Sequence, residues 1–315
     1  MNETVKGLIS VITPCHNSAR FVDRLLDSVL KQDYPAVEMI AVDDESTDDT
    51  ASVIDSYADK FKERGYTLKC LRQPHAGQSG AINNALKMVR GEFLVWPDSD
   101  DYYSESTSLS KLVAALNDAP EDVGMSRCLP EYVDESLHPL KPGNGVPRHF
   151  NTEKDRLFHD SIWGKNGFWY LSGGYMARMS HFDRCVEGRE IPHAENAGQS
   201  WQLLLPLLHR YRCVTVKEKL HTVVVRGDSH SRNFSRSYAQ MMSKHRDFEK
   251  VFIQTIENIR DMEDDERDSL IHEVRQYYKR EYFITGITYR LHLPRRVAKK
   301  LMLLKDRYDS FRGKI

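Results

Sequence analysis

Cysteine is scarce in this chain. The five, Cys15, Cys70, Cys128, Cys185 and Cys213, are widely spaced and form no C-x-x-C pair. That excludes the common zinc frameworks and a disulfide scaffold, and fits a reducing cytosol. No window approaches 18 consecutive apolar residues, so no stretch reads as a membrane-spanning helix. The opening residues, MNETVKGLISVIT, are expected to be too polar and too short in apolar length for a signal peptide. Net charge is only −1, so no global electrostatic case for a nucleic-acid partner exists. The glycine-rich phosphate loops are missing too: neither G-x-G-x-x-G nor G-K-[ST] follows the first apolar run. Internal repeats and low-complexity tracts are also absent. Hydrophobic residues make up 40% and charged ones 29% of the 315, enough for a substantial core.

What is present is a strict alternation of two periods over the first hundred residues. LISVIT (8–13) is a continuous β-branched run, the mark of a strand buried on both faces. RFVDRLLDSVLKQ then places Val22, Leu25, Leu26, Val29 and Leu30 at helical spacing. VEMIAV (37–42), TLKCL and EFLVW continue as strands, with TASVIDSYADKF and GAINNALKMV as the helices between them. This order predicts an α/β fold with a doubly wound, mostly parallel sheet, in which ligands bind beyond the carboxyl ends of the strands.

That rule singles out three loops: PCHN (14–17), DDESTDD (43–49) and PDSDD (97–101). Asp98, Asp100 and Asp101 crowd the last of them, and either water or a cation must make the crowding tolerable. Hard carboxylate oxygens suit Mg²⁺ or Mn²⁺ completed by substrate phosphates; the alternative is a solvated turn that starts the next helix. Asp43 and Asp44 either accept hydrogen bonds from a base or ribose, or help cap the helix after them. His16 is a base-stacking residue or an ordinary loop histidine. Trp163, Phe168, Trp169, Tyr170, Tyr175 and Trp201 form a sugar-stacking platform or belong to the core. His230, in GDSHSR, is a nitrogen ligand or a surface residue.

Further along, residues 121–147 lose the pattern and HPLKPGNGVP reads as an irregular loop or lid. GQSWQLLLPLLHRY reads as a helix broken or ended near Pro206, and LHTVVVRGDSHSR as a strand entering a polar loop. From about residue 237 the chain turns helical: Phe248, Val251, Phe252, Ile256 and Ile259 mark one helix, and Leu270, Val274, Tyr278 and Tyr282 a second. In the final stretch Val297, Leu301, Leu304, Tyr308 and Phe311 share one stripe. Residues 290–315 hold nine Lys or Arg against two Asp. The tail is either a peripheral membrane contact or a helix packing its apolar side inward.

Taken together, SVITPCHNSARFVDRLLDSVLKQDYPAVEMIAVDDESTDDT, GQSGAINNAL and GEFLVWPDSDDYY resemble the family 2 glycosyltransferases of the GT-A fold, strongly over residues 8–104 and more weakly to about residue 232. The resemblance implies a GT-A domain over 1–236, with a nucleotide-sugar half to about 104 and an acceptor half after it, followed by a helical extension over 237–315. It implies that Pro14 and His16 flank a nucleotide base and that Asp44 takes its N–H. Asn17, Asp43, Gly77, Ser79 and Asn83 are expected to line the nucleotide site. Asp98 would sit near the ribose and the cation, Asp100 would be the principal ligand of Mn²⁺ or Mg²⁺, and His230 would complete the shell. Arg226 or Arg232 would meet phosphates. Trp169, Gln199 and Trp201 would face the acceptor.

Two departures stand out. Ala81-Ile82-Asn83 replaces the family's A-R-N, removing a basic contact. Gly198-Gln199-Ser200-Trp201 replaces G-E-D-W, and glutamine cannot take a proton. Glu195 is the nearest substitute base, with Asp101 or Glu190 as alternatives. The implied activity is inverting, metal-assisted transfer of a sugar from a nucleoside-diphosphate donor such as a UDP-hexose. The acceptor would be a glycan or a lipid-linked glycan in bacterial surface polysaccharide assembly, at the cytoplasmic face of the membrane. A catalytically impaired nucleotide-sugar-binding or scaffold protein is the alternative that the Gln199-Ser200 pair raises. A nucleotidyltransferase ranks last, since PCHNSAR lacks the glycine-rich and basic loop such an enzyme needs.

Overall fold

The computed structural model describes residues 3–143, 146–193, 198–227 and 237–312, with side chains to Leu304. Strand β1 (Val5–Cys15) is buried along its apolar half, and β2 (Val37–Asp44) is buried throughout. Both are flanked by parallel neighbours, β2 and β4 (Gly91–Val95) beside β1, and β1 and β3 (Thr67–Gln73) beside β2. Helix α1 (Val22–Leu30) buries Val22, Leu25, Leu26 and Val29, the face its spacing predicts. Short helices α2 (Thr50–Asp55) and α3 (Ala58–Glu63) lead into β3, and α4 (Gly77–Leu86) packs on β1 and β2. The expected parallel half is therefore present, in the order β3-β2-β1-β4.

The second half adds β5 (Tyr102–Tyr103), α5 (Ser108–Asn117), β6 (Val123–Val133), α6 (Phe158–Trp163), β7 (Tyr175–Arg178), α7 (Met179–Cys185), α8 (Ser200–Arg210) and β8 (Arg212–Val224). The sheet continues past β4 as β7-β6-β8-β5, with antiparallel pairings at β4–β7, β7–β6 and β8–β5. Strand β6 lies where the sequence pattern fades, and Arg127 explains why. Its side chain is fully buried mid-strand. The guanidinium donates to Thr215 Oγ1 (2.9 Å) and to the carbonyl of Asn151 (2.7 Å), and it stacks 3.8 Å above the Trp169 ring. A cation held through Nε, Nη2 and its ring contact, with Nη1 left unpartnered, can occupy a core position that binary patterning assigns to a loop.

Two further expectations are corrected. Helix α8 runs through Pro206 rather than ending there. In α11 (Arg295–Arg312) the inward contacts are Ala298 and Met302, packed on Ile284 of α10 (Asp264–Arg290); Leu301 and Leu304 of the predicted stripe face solvent. Helix α9 (Tyr238–Glu257) opens with a capping box: Ser237 accepts from the Gln240 N–H while the Gln240 side chain accepts from that of Ser237. Trp201 of α8 packs against Phe248 and Phe252 of α9, at ring separations of 5.4 and 4.7 Å, joining the sheet domain to the helical part.

Candidate active site at the carboxyl edge of the parallel strands

The loop after β1 is stitched to the loop after β2. Asn17, left-handed at φ 50°, donates its backbone N–H to Ser46 Oγ (2.9 Å) and accepts the Thr47 N–H on Oδ1 (2.8 Å). His16 Nδ1 lies 2.7 Å from the Asp44 carbonyl, and a carbonyl only accepts, so Nδ1 carries the proton. Its Nε2 is then left to accept from Asn17 Nδ2 (3.1 Å). The Asp44 carboxylate is held from the third strand: Oδ1 accepts from Gln73 Nε2 and the Ala76 N–H, both at 2.7 Å, and Oδ2 lies 3.0 Å from His75 Nδ1. His75 and His16 stand ring to ring at 5.0 Å. Asp43 turns to accept the Ser46 N–H (3.2 Å).

The acidic loop joins the same rim. Ser18 and Ser99 share a hydrogen bond of 2.8 Å, and Thr13 Oγ1 donates to the Pro97 carbonyl at 2.8 Å. The three carboxylates then diverge. Asp98 Oδ1 accepts from Gln199 Nε2 (3.0 Å); Asp100 Oδ2 accepts from Arg226 Nε (2.9 Å) and Nη2 (2.8 Å). Arg226 lies 4.3 Å above the Phe21 ring. Asp101 is buried, accepting the Val224 N–H at 3.0 Å. Beneath the loop, His221 is fully buried and neutral, its pKa lowered to about 4 because burial outweighs the nearby charges of Asp98 and Asp100. The fit there is close: Gly173 has φ 77°, and a Cβ on it would stand 2.6 Å from His221 Cε1 and 2.7 Å from Pro97 Cβ.

Several expected site residues sit elsewhere or are otherwise engaged. Trp169 is core, donating Nε1–H to the Cys128 carbonyl beneath Arg127, and Trp201 is committed to α9 and to the Tyr170 hydroxyl. Asn83 clamps the chain at Ile191, donating to its carbonyl (3.0 Å) and accepting its N–H (2.9 Å), so its amide is not available to a nucleotide. Ser79 is fully buried in α4, whereas Gly77 opens that helix at φ 70° and Pro14 lies next to last in β1, opposite Val42. The burial of Asp101, with its carboxylate used on Val224, removes it from the candidate bases. Gln199 reaches Asp98 rather than an open acceptor face. Glu195, His230 and Arg232 lie outside the described residues. His75 and Gln73 went unread in the sequence, although the rule that selected the other loops applies equally to the carboxyl end of β3.

Among the described residues no three His, Cys, Asp or Glu side chains converge as a ready-made metal centre. The donor set still fits a hard divalent cation that draws its remaining ligands from phosphate and water. Asp98 shares its loop with the carboxylates of Asp100 and Asp101, and their like charge falls on it. Burial, with the charges of Asp101 and Asp100, raises its pKa to about 7 against the hydrogen bonds from Gln199 and Ser172. The sign follows from linkage. A folded pKa above the unfolded value of about 4 means that charging Asp98 destabilises the cation-free fold as pH rises toward and through 7. A divalent cation needs the charged form, so its apparent affinity should be roughly tenfold higher at pH 8 than at pH 6. Melting temperatures with and without UDP and Mn²⁺ at both pH values test this, and Asp98→Asn should flatten the difference.

With this geometry in place, known proteins show where the chain stands. The model of glycosyl transferase family 2 matches residues 10–171. The poly(ribitol-phosphate) beta-N-acetylglucosaminyltransferase TarS of Staphylococcus aureus is 36% identical over 116 residues, covering 36% of this chain and 20% of TarS. The putative teichuronic acid biosynthesis glycosyltransferase TuaG of Bacillus subtilis is 37% identical over 100 residues, covering 32% of this chain and 38% of TuaG. These matches thus span well under half of either relative's length. Among solved structures, TarS 1-349 in complex with UDP-GlcNAc aligns at a TM-score of 0.62 and 22% identity, over 90% of this chain and 73% of that one. The mannosyltransferase PcManGT of Pyrobaculum calidifontis, in complex with GDP-Man and Mn²⁺, aligns at 0.56 and 20% identity, over 98% and 83%. At such identities the structures establish a shared fold, the GT-A arrangement. The family match covers just over half of the chain, from β1 through the acidic loop to the Trp169 region, and this chain therefore belongs to glycosyl transferase family 2.

Proposed function

We propose that the chain transfers a hexosyl unit from a UDP-sugar to a hydroxyl of a glycan or lipid-linked acceptor, with inversion, in surface polysaccharide assembly. The observation that carries this reading is the meeting of the acidic loop with the His16–Asp44–His75 rim at one sheet edge, linked through Ser18 and Ser99. The UDP-GlcNAc complex of TarS supports the choice of donor, and the Mn²⁺ of PcManGT the choice of cation. In this reading His16 and His75 border the base, and Asp44 is held by Gln73 and Ala76 to meet its N–H. Asp98 and Asp100 would hold Mn²⁺ or Mg²⁺, which supplies charge neutralisation for the departing diphosphate. Arg226, already aligned on Asp100, adds a second positive charge on the same side. The acceptor oxygen bonds to the anomeric carbon, its proton passes to the carboxylate of Glu195, and the bond to the diphosphate oxygen breaks on the opposite face. UDP and Mn²⁺ together should raise the melting temperature by about 5 °C at a hundredfold excess over Kd. No gain with any nucleoside diphosphate would overturn the reading.

A contact with anionic membrane completes the proposal. Helix α11 leaves Leu303 and Leu304 about 60% exposed, among the exposed Arg295, Arg296, Lys299 and Lys300. An apolar and basic outer face of this kind suits the boundary of an anionic bilayer, where each cation contributes about 1 kcal/mol. Replacing both leucines by serine should release the full-length chain from phosphatidylglycerol-containing vesicles while leaving its melting temperature unchanged. Equal cosedimentation of the two forms would remove the membrane contact.

A further inference from the structure

A second opening lies outside the rim just described. Between α8, the segment after α7 and α9 runs a cleft of about 810 Å³, within the size range of pockets that enclose drug-sized ligands, about 300–1,000 Å³. Gln202 of α8 stands in its wall, 1% exposed, with both its amide oxygen and its amide nitrogen unpartnered. A buried primary amide with neither bond made to protein is costly, so a partner able both to donate and to accept, water or a ligand hydroxyl, would stabilise it. A second observation points the same way. Pro206, which also lines the cleft, has no N–H, so the Gln202 backbone carbonyl loses its usual i+4 donor within α8. Charge narrows the chemistry. The lining carries Lys250, Arg260 and Arg267 against Glu187, Glu190 and Glu257. Arg260 pairs with Glu187 at 3.0 Å, and Arg267 donates to the carbonyls of Ile256, Glu257 and Met262. A balanced lining whose arginines are engaged disfavours a phosphate and suits a neutral ligand. Gln254 and Asn258 add two more amides.

We propose that this cleft is a carbohydrate subsite in which Gln202 recognises a hydroxyl-rich chain, with its side-chain amide and backbone carbonyl serving vicinal hydroxyls. Gln199 and Gln202 are one helical turn apart, on neighbouring faces of α8; the first touches Asp98, the second the cleft. The cleft therefore extends the acceptor side of the proposed transfer site, and only its description as an acceptor subsite rests on that reading. The test follows the ¹⁵N side-chain amide of Gln202, assigned by its loss in Gln202→Met, during titration of the full-length chain with sorbitol, glucose and N-acetylglucosamine. Titration to about 100 mM saturates a site of millimolar Kd. At least one probe should move that resonance saturably, and Gln202→Met should lose the saturable shifts of the Asn258 amide while melting no lower than wild type. A Gln202 resonance that none of the three moves overturns the subsite. Thermal shift with UDP and Mn²⁺ on the same sample separates the two readings. UDP binding beside a still Gln202 discards the subsite alone, whereas a moving Gln202 without nucleotide binding discards transfer and keeps the sugar groove.

Discussion

Asp100→Ala should abolish the joint stabilisation by UDP and Mn²⁺ and lower sugar transfer about 10³-fold, some 4 kcal/mol of transition-state stabilisation. The size follows from what the carboxylate does on each side of binding. Without ligand, Asp100 is the sole acid of its loop paired with a guanidinium among the described contacts, and Arg226 donates to it twice. Removing it loses that pair but also relieves Asp98 of a like charge that raises its pKa. The two changes oppose each other, so the unliganded melting temperature should move little. In the ligated state nothing offsets the loss, because Asp101 is turned to Val224 and cannot take its place. Calorimetry or thermal shift with UDP and Mn²⁺ reads the first effect and coupled UDP release the second. A variant that keeps both the ligand-induced gain and the transfer rate would remove the cation from the account.

Glu195→Gln should lower kcat by about 10² to 10⁴, the usual worth of a general base, with UDP and Mn²⁺ binding unchanged. Gln199 occupies the position where the family carries an acid, and its amide is spent as a donor to Asp98. Asp101 is buried with its carboxylate engaged. Glu190 lines the lateral cleft, beyond the Asn83 clamp on Ile191. Glu195 remains, four residues before Gln199 in the chain. Glutamine preserves its shape and removes only the capacity to take a proton, so a fall in kcat at constant nucleotide affinity isolates that role. An unchanged kcat would assign the proton to another group.

Legibility differed between the two halves for a physical reason. In the first hundred residues, strands buried on both faces need unbroken apolar runs, and helices covering them need a 3.6-residue stripe. Pattern and structure therefore agree on the strands from Leu8 to Trp96, while the single helix expected over residues 50–61 is split at Ser56 and Tyr57 into α2 and α3. After Glu121 the core admits polar residues whose partners are distant in sequence. Arg127 in β6 is tolerable only because Thr215, Asn151 and Trp169 meet it, and no local pattern announces that. Trp169 and Trp201 show the same limit: an aromatic cluster reads identically as platform or core, and only the neighbours Cys128, Phe248 and Phe252 decide for the core.

Periodic patterning is enough to specify the parallel half of the sheet and to place PCHN, DDESTDD and PDSDD at its carboxyl edge. Periodicity and the right-handed crossover leave little freedom there. The folded arrangement alone sets how the acids divide their work. Adjacent carboxylates of one loop point in different directions, and their partners Gln199, Val224 and Arg226 arrive from more than a hundred residues away. It also decided which histidines frame Asp44, since His75 comes from a third strand, and that Gln202 is left unpaired beside Pro206. Hydrogen-bond partnership across the fold depends on direction and distance, and neither is written in the order of residues.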